Sequence, residues 1–323
     1  MIFTRGFASS MLVLLLHSID TYALSVVDDG PIEPLTLIPE ASPPEGWDSA
    51  AVVQEGIPPI PEIIEVTPEM LAAFVVNTSL TEAPPSPLFS DTDVARTLQD
   101  RSIYGPDDRY LWTDTTSYPW SAIGRVQRQE GALCTGVIVG PRHVATARHC
   151  FRDGQWLRFA PGYNGGEVLG GAYATQVFRA STMLPSPGWT DCDFRDDYAI
   201  LVMGDDRMGD RFGYFGAQYI DPGMVNRALF GHAGYPGDLG RAERMYRQDG
   251  VQVHRADRCD ATGPMDTNAD MMGGQSGGPL FTPFSDGGLY VLGVATASSS
   301  VESTFAGGTN FVHHVILARQ DFP

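Results

Sequence analysis

Residues 136–150 read GVIVGPRHVATARHC, two short strand signals followed by a histidine and a cysteine. Runs of about four to eight apolar or β-branched residues, bounded by Gly or Pro, are typical of β-strands. The pattern recurs along the chain, at Tyr198–Met203, Ala228–Ala233, Val251–His254 and Leu289–Thr296. This spacing predicts an all-β fold, either a sandwich or a pair of barrels, and only Val312–Arg319 near the end indicates a convincing helix.

The composition excludes several classes of protein. The 323 residues include 36 Gly and 24 Pro, hydrophobic residues make up 43%, and the formal net charge is −18. An acidic chain without a block of Lys and Arg lacks the positive surface that binds nucleic acids or anionic lipids. We therefore expect no nucleic-acid partner, and the composition does not fit a coiled coil, collagen or a multi-span membrane protein.

Residues 1–24 have the pattern of a secretory signal peptide. Arg5 supplies a positive start, MLVLLL at 11–16 is the apolar centre, and small residues follow around Ala23. The apolar run is too short to cross a bilayer as a mature helix, and an uncleaved anchor is the alternative interpretation. We expect a secreted protein, extracellular or periplasmic, with no membrane attachment in its mature form and with cysteines able to pair.

Residues 25–101 form an acidic, proline-rich segment. It contains 14 acidic and two basic residues and 12 of the 24 prolines, and both features oppose a compact fold. Only 69–76 has a locally helical pattern. Because the segment follows a signal and ends at a basic site, Arg101-Ser102, we interpret it as a largely disordered propeptide removed by an activating protease. A disordered linker is the alternative, and the folded domain is then 102–323.

Three motifs in the folded domain carry the side chains of nucleophilic catalysis: ATARHC at 145–150, DYAIL at 197–201 and GGQSGGPL at 273–280. A serine hydroxyl needs a base to become a nucleophile, histidine titrates near neutral pH, and a buried carboxylate holds the imidazole in one tautomer. We predict His149 as the base, Asp197 as its partner and Ser276 as the nucleophile. The backbone N–H groups of Gly274 and Ser276 are the predicted oxyanion donors.

Neighbouring residues fit these roles less well. His143 is not followed by a cysteine, and Asp196 lies outside the Asp-x-Ala-Ile-Leu pattern. His313 and His314 are adjacent on the predicted helix and point in different directions, so we expect surface histidines there rather than metal ligands. No cofactor is expected and no metal ligand is assigned; a structural calcium ion is left open, although no Asp-x-Asp-x-Asp-Gly loop supports it.

Together the motifs resemble the chymotrypsin-like serine peptidases, and more closely the bacterial glutamyl endopeptidases, over essentially all of 102–323. SIYGPDDR at 102–109 looks like the mature start of that subgroup. The resemblance implies two six-stranded antiparallel β-barrels, here with a C-terminal helix, with His149 and Asp197 from the first barrel and Ser276 from the second.

The resemblance also implies a function. The protein would be a serine endopeptidase that cleaves protein or peptide substrates through an acyl-enzyme intermediate, made as a zymogen, and we expect a monomer. An esterase with the same three side chains and a catalytically inactive binding homologue are the alternatives.

The family also implies a disulfide pattern. The positions of Cys134 and Cys150 are bridged in this family, and that link would hold the loop that carries His149. Closing a loop of about 15 residues stabilises a fold by roughly 3 kcal/mol in the chain-entropy model. Cys192 and Cys259 are left for a second bridge, with two free thiols as the alternative.

The substrate preference stays open. The subgroup recognises a substrate Glu partly through a histidine where this chain has Ala295, and it tends to carry Thr where this chain has Met271. Asp270 lies six residues before Ser276, where trypsin-type enzymes hold the carboxylate that binds Arg or Lys. Asp270, Met271, Ala295 and Thr296 are therefore the candidate substrate-binding residues, and basic, acidic and small side chains are all possible preferences.

Activation by the usual ion pair does not fit this chain. Many trypsin-like enzymes are activated when a new α-amine pairs with an aspartate just before the nucleophile, and here that position is Gln275. The resemblance to glutamyl endopeptidases suggests another use for the amine. Cleavage between Arg101 and Ser102 would free an α-amine that helps to neutralise a substrate carboxylate.

Overall fold

The computed structural model describes residues 36–37, 58–72, 107–181, 188–299 and 301–323. All of them belong to one unit, Glu33–Pro323. The predicted signal peptide, 1–24, and the predicted cleavage site, Arg101-Ser102, lie outside the described residues. Four short elements precede the barrels: strands β1 (Thr36–Leu37) and β2 (Glu62–Val66), helix α1 (Pro68–Ala72) and strand β3 (Tyr110–Trp112).

Six antiparallel strands form the first barrel: β4 (Ile123–Arg128), β5 (Leu133–Gly140), β6 (His143–Ala147), β7 (Leu157–Pro161), β8 (Ala172–Ala180) and β9 (Tyr198–Met203). They pair in the order β8-β7-β4-β5-β6-β9, and β9 pairs back with β8. Every residue of β4, β5, β6 and β9 is buried, which explains the continuous apolar sequence of β9, whereas β4 also buries the polar side chains of Arg125, Gln127 and Arg128.

Helix α2 (Asp191–Arg195) lies between β8 and β9 of the first barrel, and helix α3 (Met208–Phe212) and strand β10 (Gly216–Ala217) lie in the connection to the second. The second barrel has β11 (Ala228–Gly234), β12 (Met245–Arg255), β13 (Met265–Thr267), β14 (Pro279–Pro283), β15 (Leu289–Ser298) and β16 (Ser303–Gly307). The strands pair in the order β15-β14-β11-β12-β13-β16, and β16 pairs back with β15. The predicted fold of two six-stranded antiparallel barrels is confirmed.

The C-terminal helix α4 (Thr309–Asp321) covers the first barrel. It buries Phe311, Val315 and Ile316, which lie on one face at helical spacing. The prediction of a helix over Val312–Arg319 is confirmed, with the helix longer at both ends. None of the helices in the described part of the chain is long and apolar enough to cross a membrane.

Two segments of the predicted propeptide are ordered and pair with the barrels. Strand β1 lies antiparallel to the end of β15, with Thr36 opposite Ser298 and Leu37 opposite Ala297. Strand β2 lies parallel to β8. Helix α1 overlaps the locally helical pattern, but the sequence did not predict these two strands, because their partners lie far away in the chain.

The structure contains both disulfides. Cys134 in β5 is bonded to Cys150, which closes the turn after β6, and their Cα atoms are 6.3 Å apart. Cys192 in α2 is bonded to Cys259 in the loop between β12 and β13. The four cysteines are therefore all paired, as the first of the two sequence-based alternatives predicts.

Candidate active site

His149 lies in a 3-10 turn, Arg148–Cys150, that directly follows β6. The turn is held at two points: the disulfide ties Cys150 to β5, and the backbone N–H of Arg148 donates to the Asp197 carbonyl over 3.2 Å. The imidazole therefore projects from a rigid end of the first barrel. Its two nitrogens face the two other predicted catalytic residues.

The imidazole of His149 bridges a carboxylate and a hydroxyl. Its Nδ1 lies 2.6 Å from Asp197 Oδ2, and its Nε2 lies 2.9 Å from Ser276 Oγ. A carboxylate only accepts hydrogen bonds, so the proton of neutral His149 belongs on Nδ1. Nε2 is then an acceptor aimed at the serine hydroxyl, which is the geometry that a general base requires.

Asp197 is fully buried and accepts three hydrogen bonds. Besides His149 Nδ1, the backbone N–H of His149 donates to Oδ1 over 3.0 Å, and the hydroxyl of Thr296 donates to Oδ2. A buried carboxylate is stable only when its oxygens are satisfied, and here both oxygens are used. The three donors fix the carboxylate plane and, through it, the imidazole.

Ser276 is buried in a loop between β13 and β14 whose glycines are structurally required. Gly274 and Gly277 have φ values of +95° and +82°, which L-residues rarely adopt. A Cβ on Gly277 would lie 2.2 Å from the Thr135 carbonyl oxygen. The loop can therefore approach β5 of the first barrel only because its sequence is Gly-Gln-Ser-Gly.

Thr135 in β5 holds this loop from the opposite barrel. Its backbone N–H donates to the Ser276 carbonyl over 2.8 Å, and its hydroxyl donates to the Gly274 carbonyl over 2.8 Å. The sequence reasoning missed this residue as a contributor to the site. The signal available was its place in Cys134-Thr135-Gly136, next to the cysteine that is bonded to Cys150.

The four candidate substrate-binding residues lie in different environments. Thr296 contacts Asp197, a contact that the sequence reasoning did not assign. Met271 and Ala295 belong to the hydrophobic core of the second barrel. Asp270 is fully buried, its Oδ2 accepts the backbone N–H of Asp108 over 2.8 Å, and its Oδ1 has no hydrogen-bond partner among the described residues. A substrate-binding role for the four stays a prediction.

The rejected alternatives have structural roles. His143 is buried, its Nε2 lies 3.0 Å from the Ala318 carbonyl of α4, and burial lowers its pKa to about 3. Asp196 pairs with Arg195 over 2.6 Å. The prediction of surface histidines is wrong for His314, which is fully buried on the inner face of α4, and burial lowers its pKa to about 4.

Within the described residues no group of three or more His, Cys, Asp or Glu side chains is placed to hold a metal ion.

Two antiparallel six-stranded barrels, with Ser, His and Asp side chains in hydrogen-bond contact where they meet, define a chymotrypsin-like serine peptidase. The family model described as Trypsin matches residues 113–315, and the chain belongs to this family. Active members of this class are hydrolases that act on peptide bonds, and the relatives of this chain also include a protein named inactive serine protease 35, of Homo sapiens, which is 38% identical over 58 residues and covers 17% of this chain and 13% of that one.

Two known relatives are similar to this chain over about two thirds of its length. The chain is 31% identical over 226 residues to a glutamyl endopeptidase of Bacillus licheniformis, covering 67% of each chain. It is 28% identical over 232 residues to a protein of Bacillus subtilis named extracellular metalloprotease, covering 68% of this chain and 70% of that one. A solved structure of a Glu endopeptidase aligns with a TM-score of 0.53 at 21% identity, over 67% of this chain and 98% of that one, which supports the fold.

Proposed function

We propose that this protein is a secreted serine endopeptidase, made as a zymogen, in which Ser276 is the nucleophile, His149 the general base and Asp197 its orienting partner. The observation that carries the proposal is the imidazole of His149, with Nδ1 2.6 Å from Asp197 Oδ2 and Nε2 2.9 Å from Ser276 Oγ. All three side chains sit within hydrogen-bond range before any substrate binds, so no rearrangement is needed to begin proton transfer.

The proposed reaction proceeds in two halves. His149 Nε2 takes the proton of Ser276 Oγ while the oxygen attacks the peptide carbonyl, and the imidazolium is stabilised by Asp197. The same proton is then given to the leaving amine, which leaves an acyl-enzyme. Water, activated by His149, releases the acyl group and restores the serine.

The turn around Gly274 supports the proposed oxyanion site. The φ of +95° at Gly274 and the hydrogen bond from Thr135 to its carbonyl fix the peptide planes on both sides of Gly274, and the backbone N–H of Gly278, which donates to the Gln275 carbonyl over 2.8 Å, fixes the plane that carries the Ser276 N–H. We assign the backbone N–H groups of Gly274 and Ser276 as the donors. Losing one such donor typically costs roughly 3 kcal/mol of the barrier.

The zymogen proposal is supported by strand β1. Its residues pair with Ala297 and Ser298 at the end of β15, directly after Thr296, whose hydroxyl contacts Asp197. A strand added at this edge uses the backbone groups that an extended peptide would need in order to lie beside the catalytic residues. Part of the predicted propeptide therefore occupies backbone next to the site, and cleavage at Arg101-Ser102 would allow it to leave.

A labelling experiment tests the proposed chemistry. Processed protein treated with a fluorophosphonate should carry one adduct on Ser276, and the Ser276→Ala variant should lose peptide hydrolysis by on the order of 10⁴-fold or more. Comparing peptide and ester substrates separates an endopeptidase from an esterase. A processed, folded protein that forms no adduct is the inactive binding homologue, and the proposal then fails.

The substrate preference is tested with a peptide library. Its relative the glutamyl endopeptidase suggests cleavage after Glu, whereas the buried carboxylate of Asp270 favours a basic side chain if it lines the pocket. Cleavage profiles of the wild type and of Asp270→Asn decide between them. If the wild type prefers basic side chains and the variant does not, Asp270 lines the pocket. If the preference is unchanged in the variant, Asp270 has no role in the pocket.

A further inference from the structure

Arg109 is a buried arginine close to the nucleophile in space and far from it in the chain. It precedes β3 in the segment that resembles a mature N-terminus, and only 8% of the residue is exposed. Its Nη2 lies 2.7 Å from Asp107 Oδ2 and 2.6 Å from Asp238 Oδ2. Burial by itself would lower the pKa of Arg109, but the hydrogen bonds to the two carboxylates raise it overall, so the guanidinium stays charged.

The guanidinium of Arg109 also contacts Gln275, the residue before the nucleophile. Arg109 Nη1 donates to Gln275 Oε1 over 2.7 Å, and the same oxygen accepts the backbone N–H of Met272 over 2.9 Å. Gln275 is 1% exposed, so water does not compete for these bonds. One side-chain oxygen therefore joins a fixed positive charge to the start of the turn that leads to Ser276.

The amide nitrogen of Gln275 is fixed from the other side. It lies 3.1 Å from His232 Nε2, and His232 Nδ1 lies 3.0 Å from the Pro279 carbonyl. Burial lowers the pKa of His232 to about 4, so this histidine is neutral at neutral pH. It then donates from Nδ1 and accepts from Gln275 at Nε2, which gives the Gln275 amide one orientation.

These contacts set the turn that carries the assigned oxyanion donors. The backbone N–H of Gln275 donates to the Met272 carbonyl over 3.0 Å, so Met272 and Gln275 are joined by both a backbone and a side-chain bond. Between them lies Gly274, with its φ of +95°. The Asp238 that pairs with Arg109 follows Gly237, whose N–H donates to the Gly273 carbonyl over 2.7 Å.

We propose that Arg109 is a positioning residue for catalysis, which acts through Gln275 to hold residues 272–276 in the conformation that presents the oxyanion donors. This inference rests on the proposed function. The positive charge belongs to a side chain, which is present before cleavage, and not to an α-amine that cleavage creates. The loop is therefore organised before cleavage as well as after it. Latency of the precursor then comes from restricted access and not from a disordered nucleophile loop.

Kinetics of Arg109→Met test the role. Because the variant keeps Ser276, His149 and Asp197 but frees Gln275, kcat should fall by about 10- to 100-fold with little change in KM, somewhat less than the loss of a whole oxyanion donor. Binding of a peptide boronic acid, which forms a tetrahedral adduct, should weaken by a similar factor, whereas binding of a product peptide should not change.

Two controls separate positioning from stability. Arg125→Met removes another buried arginine, which pairs with Glu243 and stacks on Tyr163, and it should lower the melting temperature while keeping kcat. If Arg109→Met does not fold, Arg109→Lys is used instead. It keeps the positive charge but loses the planar guanidinium with its separate donors, so it should show a smaller fall in kcat. Wild-type kcat in whichever of the two variants folds overturns the proposal.

The uncleaved protein provides the second readout. In a full-length Arg101→Gln background, a small fluorophosphonate should label Ser276 at a rate comparable to that of the mature protein, and Arg109→Met should slow the labelling. Slow labelling that Arg109→Met does not change would contradict a loop organised by Arg109 before cleavage. A mature wild type that takes no label overturns the proposed function, and this proposal with it.

Discussion

The hydroxyl of Thr296 donates to the same oxygen of Asp197 that faces His149 Nδ1. A hydrogen bond to a charged group contributes about 1.5–3 kcal/mol, and part of that energy here orients the carboxylate. The Thr296→Val variant keeps the shape and loses the donor. We expect kcat to fall by about tenfold with KM nearly unchanged, measured by steady-state hydrolysis of a peptide.

A matched variant exists for this test. Thr282 in β14 is also buried, and its hydroxyl donates to the Leu229 carbonyl over 2.9 Å, without any contact to the three catalytic candidates. Thr282→Val should therefore lower stability and leave kcat unchanged. Equal kcat values for the two valine variants would show that Thr296 contributes packing alone.

Asp270 makes stability depend on pH. Burial, with smaller contributions from Asp107 and Asp108, raises its pKa to about 6, from 3.8 in the unfolded chain. The folded state then holds a proton that the unfolded state has lost, so its contribution to stability is complete below about pH 4 and is lost as the pH rises to about 6.

We expect the melting temperature of Asp270→Asn, relative to the wild type, to rise between pH 4 and 6, because the amide cannot ionise. The measurement is a series of thermal unfolding curves across this range. Parallel curves for the two proteins would show that burial does not raise the pKa of Asp270 in the folded protein.

The two disulfides differ in what they hold. The bridge between Cys134 and Cys150 spans 16 residues and fixes the turn of His149, whereas the bridge between Cys192 and Cys259 spans 67 residues and joins helix α2 to the loop between β12 and β13. The chain-entropy model gives a loss of about 3 kcal/mol for the first and about 4 kcal/mol for the second. We expect the double Ala variant of the first pair to lose more kcat and less stability than that of the second.

The measurements are chemical denaturation and steady-state kinetics on the same preparations. If one double Ala variant has both the lower kcat and the lower stability, the Cys134–Cys150 bridge has no specific role in placing His149.

For the whole molecule, the pairing of β1 with β15 predicts how the precursor is kept inactive. The Arg101→Gln precursor should hydrolyse peptides slowly, because an extended substrate cannot reach the edge at Ala297 and Ser298. Adding Leu37→Pro, which removes a backbone donor from β1 and weakens the strand, should raise peptide hydrolysis.

The other propeptide strand provides the control for this experiment. Ile64 in β2 pairs with Phe178 of β8, in the first barrel, and makes no pairing with β15. Ile64→Pro in the same Arg101→Gln background should weaken β2 to a similar degree and leave peptide hydrolysis low. An equal rise in both variants would mean that loosening the propeptide in general, and not opening β15, activates the protein.

The amino-acid sequence by itself determined the local features: the strand segments, the C-terminal helix and the residue types at His149, Asp197 and Ser276. These depend on periodicity and on short motifs, and the glycines of Gly-Gln-Ser-Gly indicate a turn with positive φ values, which the structure has at Gly274 and Gly277. Only the tertiary structure decided the contacts that join distant segments. Arg109 and Gln275 are 166 residues apart, and Thr296 and Asp197 are 99 apart. Such partners are chosen by how the two barrels close and meet, so no local pattern in the chain encodes them.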